Sequence, residues 1–170
     1  MKKAKVAING FGRIGRAFFK LAITRPELEV VVINDLGDLD NLAYLLQYDS
    51  AYGRYDKEVR VESGKLKVDG KEILFLSEKD ATLLPWGKLG VDIVVEATGI
   101  FDSYEKSEVH KKAGAKRVVI TAPARDDDGP DAKTVLMGVN EDELKTCTIS
   151  SNGSCTTNSV SPVMQILAEK

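Results

Sequence analysis

Six residues decide most of what this chain can fold into. Gly10-Phe11-Gly12-Arg13-Ile14-Gly15 stands between AKVAING, which reads as a short buried strand, and RIGRAFFKLAITR, which reads as an amphipathic helix with Ile14, Phe18, Leu21 and Ala22 on one side. A G-x-G-x-x-G loop alone says little, because glycines are common in turns. Here it joins a strand to a helix, and the next apolar run, LEVVVIND, ends in Asp35, close to the interval of about 20 residues expected for a dinucleotide site.

The rest of the chain keeps this alternation. LDNLAYLLQYD reads as a second helix, VDIVVEATG as a buried strand, YEKSEVHKKAGA as a helix capped by Asp102 or Ser103, and KRVVITAPA as another strand. RDDDGPDA reads as an exposed loop before a strand TVLMGV, followed by a short helix around EDEL, a strand TCTISS and a last helix from about Cys155. The middle changes period: EVRVES, GKLKVDG and KEILFLS alternate across turns at Ser63-Gly64 and Asp69-Gly70, an antiparallel meander inserted into the pattern. The expected fold is α/β, a doubly wound, Rossmann-type, mostly parallel sheet with a small antiparallel insertion. Ligands of such sheets bind beyond the carboxyl ends of the strands.

Each glycine has a physical reason. Gly10 permits the tight turn, Gly12 lets a pyrophosphate approach the backbone, and Gly15 lets the helix pack on the strand, while the helix's free N–H groups favour the anion. Asp35 can accept hydrogen bonds from an adenosine ribose and repels a 2′-phosphate, and the Leu36 and Gly37 that follow carry no charge to offset this. NAD is therefore expected over NADP. The competing reading is a glycine turn that binds nothing.

The net charge of −2 gives no general attraction for nucleic acid or an anionic membrane, and two cysteines make no disulfide framework, so a reducing cytoplasm is the expected location. No metal site is expected. The terminal SPVMQILAEK reads as a helix without a cap or turn after it, and the natural chain is expected to continue.

Cys155 falls where a strand ends and a helix begins, where unpaired N–H groups and the helix dipole stabilise a thiolate. Ser154 and Thr156 flank it with hydroxyls, and Thr157 and Asn158 can satisfy groups in the first turn. A nucleophile and a dinucleotide site at the same strand ends suggest covalent capture of an aldehyde with hydride transfer. The alternative is a buried free cysteine. Cys147, within TCTIS, reads as core. His110, the only histidine, reads as a partly exposed helix residue, with a role as base for Cys155 the lesser alternative.

Taken together, VAINGFGRIGR, VVINDL, LLQYDSAYGRY, WGKLGVDIVVEATGIF, GAKRVVITAPA, VLMGVN and SSNGSCTTN resemble, in order and spacing, the N-terminal half of the phosphorylating glyceraldehyde-3-phosphate dehydrogenases. The resemblance covers essentially the whole chain. It implies an NAD-binding domain over residues 1–151 and the start of a catalytic domain over 152–170. It implies that Cys155 captures glyceraldehyde 3-phosphate as a hemithioacetal, that hydride passes to NAD, and that inorganic phosphate cleaves the resulting thioester, with Ser154 and Thr156 holding substrate or phosphate. Arg13 and Ile14 would contact the pyrophosphate and Asp35 the ribose. Gly10, Phe11, Gly12, Asn34, Lys79, Thr98, Gly99, Phe101 and Thr121 would complete the cofactor cleft.

A homotetramer in the cytoplasm is implied for the full-length enzyme, and cofactor binding without turnover for these 170 residues, since the family's catalytic histidine falls beyond Lys170. An erythrose-4-phosphate dehydrogenase-like relative and a non-catalytic nucleotide-binding module are the alternatives. Gly153, Ser159 and Ile100 depart from the family's usual residues, and Gly153 is expected to loosen the approach to Cys155.

Overall fold

The computed structural model describes residues 2–169. In chain order, β1 (Ala4–Asn9) leads into α1 (Arg13–Ala22), then β2 (Leu28–Asn34) and α2 (Leu39–Gln47). A two-strand hairpin, β3 (Tyr48–Asp49) and β4 (Gly53–Arg54), precedes β5 (Val59–Glu62), β6 (Lys65–Val68) and β7 (Lys71–Leu76). After a 3-10 turn at Ala81–Leu83 come α3 (Trp86–Leu89), β8 (Ile93–Glu96), α4 (Tyr104–Lys112) and β9 (Arg117–Ile120). β10 (Ala132–Thr134), a second 3-10 turn (Glu141–Lys145), β11 (Ile149–Ser151) and α5 (Cys155–Ala168) follow.

Nine strands form one sheet in the order β10-β11-β9-β8-β1-β2-β7-β6-β5. From β10 to β7 every pair is parallel, and β7, β6 and β5 are antiparallel. This is the doubly wound sheet the sequence predicts. The meander inserted into the pattern joins this sheet: β7 pairs with β2, so it widens the sheet. Both of its turns fall where predicted, with Ser63, Gly64, Asp69 and Gly70 all at positive φ, as two-residue hairpins need. The edge strand β5 turns Arg60 and Glu62 to solvent.

Apolar side chains cover both faces of the sheet. Ile8, Phe11, Phe19, Ile33 and Leu46 pack on one side with Leu66, Val68 and Ile73 of the meander. Ala7, Val32, Val94, Leu84 and the fully buried Trp86 pack on the other. The phase of α1 differs from its prediction. Gly15, Phe19 and Ala22 face the sheet, whereas Ile14 and Leu21 are 56% and 66% exposed. Gly15 sets this phase: a Cβ there would lie 2.0 Å from the Gly10 carbonyl oxygen, so the helix meets the loop at the one residue lacking one.

Two other expectations shift. TVLMGV is not a strand: pairing ends at Thr134, because the Asn140 side chain takes the Leu136 N–H (2.8 Å) and donates to the Thr134 carbonyl (2.9 Å), turning the chain away. Cys147 is core, as expected, but precedes its strand, which starts at Ile149 after Asp131 has captured the Thr148 N–H (2.8 Å). The RDDDGPDA loop does more than span a gap. Asp126 accepts the N–H groups of Tyr104 (2.8 Å) and Glu105 (3.0 Å) at the start of α4, which Ser103 caps.

Candidate functional site

Strand order reverses around β1: the chain runs outward to β2 on one side and to β8 and β9 on the other. Beyond the carboxyl ends of β1, β2 and β8 a cleft of about 390 Å³ opens. Of the predicted residues, Gly10, Gly12, Asn34, Asp35, Lys79, Thr98 and Phe101 line it. Asn9, Leu36, Glu78, Ala81, Leu84, Ala97 and Ile100 line it too, unforeseen. Asn9 carried a legible signal, a buried polar residue closing an apolar strand. Leu84 and Ala81 come from a turn with no motif.

Local geometry explains the loop. Gly10 has φ +94°, and a Cβ on it would meet the Ala97 carbonyl carbon and the Thr98 nitrogen, each at 2.6 Å, so β1 and β8 approach closely only at a glycine. Gly12, by contrast, has nothing within 4 Å of a built Cβ, and no side chain caps the helix that starts after it. That helix also has no acidic residue in its first turn. Asp35 accepts the Phe11 N–H (2.5 Å) on one carboxylate oxygen and the Gly37 N–H (2.7 Å) on the other. Phe11 itself turns its ring into the core, edge-on to Phe19 at 5.6 Å, so only its backbone belongs to the loop.

Arg13, Ile14, Gly99, Thr121, Ser154, Cys155 and Thr156 are not in the cleft wall. Thr121 donates its hydroxyl to the Glu96 carbonyl (3.0 Å) at the end of β9. Cys155 is exposed as the first residue of α5. Ser154 caps that helix: its Oγ accepts the Thr157 N–H (3.0 Å) and meets the hydroxyls of Thr156 (2.8 Å) and Thr157 (2.7 Å). Asn158 donates to the carbonyls of Asn152 (2.7 Å) and Ser154 (2.9 Å), as expected of the first turn. Gly153 is buried and tied through its N–H to Ser151 Oγ (3.1 Å), which gives no support to the looseness expected there. β11, which precedes the cysteine, lies three strands from β1 with parallel strands throughout, so the two loops leave one edge of the sheet ~14 Å apart.

His110 overturns its prediction. It is fully buried, with Nε2 on Glu96 Oε2 (2.9 Å) and Nδ1 accepting the Trp86 indole N–H (3.1 Å). The helix face it shares with Tyr104 and Ser107 packs on the sheet, and the flanking lysines that made it look superficial lie on the other faces. With both nitrogens engaged it is no base for Cys155.

The family model for the glyceraldehyde 3-phosphate dehydrogenase NAD binding domain matches residues 4–104, more than half of the chain. The chain belongs to that family. A glyceraldehyde-3-phosphate dehydrogenase of Thermotoga maritima is 51% identical over 170 residues, which cover 98% of this chain and 50% of the relative. Those of Geobacillus stearothermophilus, at 50% identity, and of Trypanosoma brucei brucei, a cytosolic form at 48%, each match 98% of this chain and 49% of their own length. The chain thus spans about half the length of the glyceraldehyde-3-phosphate dehydrogenases it matches.

NAD is the cofactor of the glyceraldehyde 3-phosphate dehydrogenase domain, and the cleft fits it. The open space over Gly12 and the uncapped start of α1 suit a pyrophosphate. Each Asp35 oxygen has accepted one hydrogen bond and retains capacity for a ribose hydroxyl. Among the described residues, Lys79 is the one cation that lines the cleft. Among the described residues no cluster could hold a metal ion, and no helix is long and apolar enough to cross a membrane.

Proposed function

We propose that this chain is the cofactor-binding part of an NAD-dependent dehydrogenase that oxidises glyceraldehyde 3-phosphate and captures the product with inorganic phosphate. The observation that carries the reading is the shared sheet edge: the uncapped helix start beside Asp35 and the exposed Cys155 at the start of α5 follow parallel strands. Gly10, Gly12, Arg13 and Ile14 receive the pyrophosphate, Asp35 the adenosine ribose, and Asn34, Lys79, Thr98, Gly99, Phe101 and Thr121 flank the rest. NAD, when bound, supplies the hydride acceptor.

Cys155 supplies the nucleophile. Its thiolate adds to the aldehyde carbon as the carbonyl π pair moves onto oxygen, giving an alkoxide carbon that carries sulfur and hydrogen. Loss of the hydride leaves a thioester, and phosphate oxygen attacks that carbon, expelling the thiolate with both electrons of the C–S bond. Ser154 and Thr156, on either side of it in the chain, offer hydroxyls to substrate or phosphate. Residues 1–151 form the cofactor domain in this reading and 152–170 open the catalytic one, supported by the place of β11 in the sheet and by the absence of any buried residue in α5. A homotetramer in a reducing cytoplasm completes the proposal, by analogy with the family.

The test uses the full-length protein with glyceraldehyde 3-phosphate, NAD and phosphate, and erythrose 4-phosphate as competitor. Phosphate-dependent NADH formation, abolished by Cys155→Ala with NAD binding kept, is expected. A higher kcat/KM for erythrose 4-phosphate would reassign the substrate, and NADH formation by the alanine variant would overturn the mechanism.

A further inference from the structure

Beneath the cleft runs a buried polar chain whose hub is used by neither the motif nor the proposed chemistry. At its centre is Glu96, the last residue of β8, with a side chain 1% exposed. Its Oε1 accepts the Thr98 N–H (2.7 Å) and the Thr98 hydroxyl, and its Oε2 accepts from Asn9 Nδ2 (2.6 Å) and His110 Nε2 (2.9 Å). Four polar hydrogens thus converge on the two oxygens of one buried side chain. Its cost of burial is met by those four donors alone.

The tautomer of His110 follows from its other neighbour. An indole N–H only donates, so Nδ1 is the acceptor and the ring proton sits on Nε2, aimed at Glu96. On the far side, Asn9 Oδ1 accepts from Asn34 Nδ2 (2.8 Å), and Asn34 in turn accepts the Glu78 N–H (2.8 Å) and donates to the Glu78 carbonyl (3.0 Å). Thr98, whose hydroxyl also accepts the Ile100 N–H (3.0 Å), carries the wall that ends in Phe101, and the Phe101 ring stands edge-on to His110 at 5.2 Å. One chain of bonds therefore joins the ends of β1, β2 and β8 and the Glu78 loop, and four of its members, Asn9, Asn34, Glu78 and Thr98, line the cleft.

We infer that Glu96, oriented by the Nε2–H of His110, is a positioning residue that presets the Asn9 floor and the Thr98–Phe101 wall of the nucleotide cleft. The inference rests on the cleft being the NAD site. Without Glu96, Thr98 and Asn9 lose their common acceptor, and the wall must be ordered at the expense of binding. His110→Gln preserves the pattern, because the amide oxygen can take the Trp86 N–H and the amide nitrogen can donate to Glu96. His110→Leu leaves Trp86 without an acceptor and Glu96 one donor short. Glu96→Gln turns an amide NH₂ toward donors on one side or the other.

The experiment is NAD calorimetry on the wild type and these three variants, with melting temperature measured on the same samples and ¹⁵N NMR of His110 in the wild type. Glu96→Gln and His110→Leu are expected to weaken NAD by about tenfold or more, as lost hydrogen bonds to a charged group do, with His110→Gln within about threefold of wild type. The His110 spectrum is expected to show the ring proton on Nε2 and none on Nδ1.

Affinity unchanged in Glu96→Gln and His110→Leu would overturn the inference, whatever happens to the melting temperature. So would a His110 ring that carries its proton on Nδ1, or loss of fold in both of those variants, which would make the network structural only. A wild type that does not bind NAD would overturn the underlying reading of the cleft instead.

Discussion

The carboxylate of Asp35 holds the backbone N–H of Phe11 at 2.5 Å, so the acid at the end of β2 also fixes the glycine loop at the end of β1. Asp35→Ala therefore has two expected effects. NAD affinity falls about tenfold or more, since charge-assisted bonds are lost both to the loop and to the ligand. NADP affinity rises relative to NAD, because the carboxylate that repels a 2′-phosphate is gone while Lys79 still lines the cleft. Calorimetry with both dinucleotides checks this; an unchanged NAD to NADP ratio would remove Asp35 from the ribose.

Alanine at Gly12 and at Gly15 should separate binding from folding. Gly15→Ala places a methyl 2.0 Å from the Gly10 oxygen, and overpacking of that kind costs about 1–3 kcal/mol or more, visible as a lower melting temperature. Gly12→Ala meets no protein atom within 4 Å, so the melting temperature holds while NAD binding weakens. A Gly12→Ala protein that binds NAD normally would show that the pyrophosphate lies elsewhere.

Thiol chemistry should distinguish the two cysteines. Cys147 is buried, and desolvation pushes its thiol above the ordinary value, whereas Cys155 is exposed at a helix start. Brief iodoacetamide treatment of the folded protein at pH 7.5, followed by peptide mass analysis, is expected to label Cys155 and spare Cys147. Equal labelling would contradict the burial pattern.

The chain itself, mixed with glyceraldehyde 3-phosphate, NAD and phosphate, is expected to hold NADH formation at background. Its only histidine is committed to Trp86 and Glu96, and a missing general base typically costs 10²–10⁴-fold. Steady NADH formation would show that another group activates Cys155.

Acid stability should register Asp92, whose carboxylate is held below its ordinary value by Lys116 (2.6 Å) and then by the Lys5 N–H (2.9 Å). A depressed value in the fold means that this stabilisation is full above about pH 4, the unfolded value, and fades as pH falls through the folded one. Asp92→Asn is thus expected to melt below the wild type at pH 7, with the two curves converging near pH 2. A gap that persists in acid would trace the effect to packing.

Much of this was legible in advance because it depends on short-range pattern. Strand and helix order, the two hairpin turns and the start of α5 at Cys155 follow from periodicity and from glycine placement. The glycine loop and Asp35 meet in the cleft because a parallel β1 and β2 bring their ends together. What escaped the sequence depends on packing. His110 lies in a lysine-rich stretch whose composition suggests solvent, and only the docking of α4 beside Trp86 reveals the inward face. The phase of α1 was set by contact at Gly15, not by its most apolar residues. Glu96 closes an apolar strand just as Asp35 does, yet one carboxylate is sealed under the floor and the other borders the opening, a difference that neighbouring turns decide.

The outermost strands have a last consequence. β5 points Arg60 and Glu62 outward, and β10 at the opposite margin is three residues long with Lys133 at its centre. Both margins thus deter an eleventh-hour visitor: a foreign strand seeking to extend the ladder would meet charge on one flank and too short a template on the other, which keeps crowded copies from zipping into fibrils.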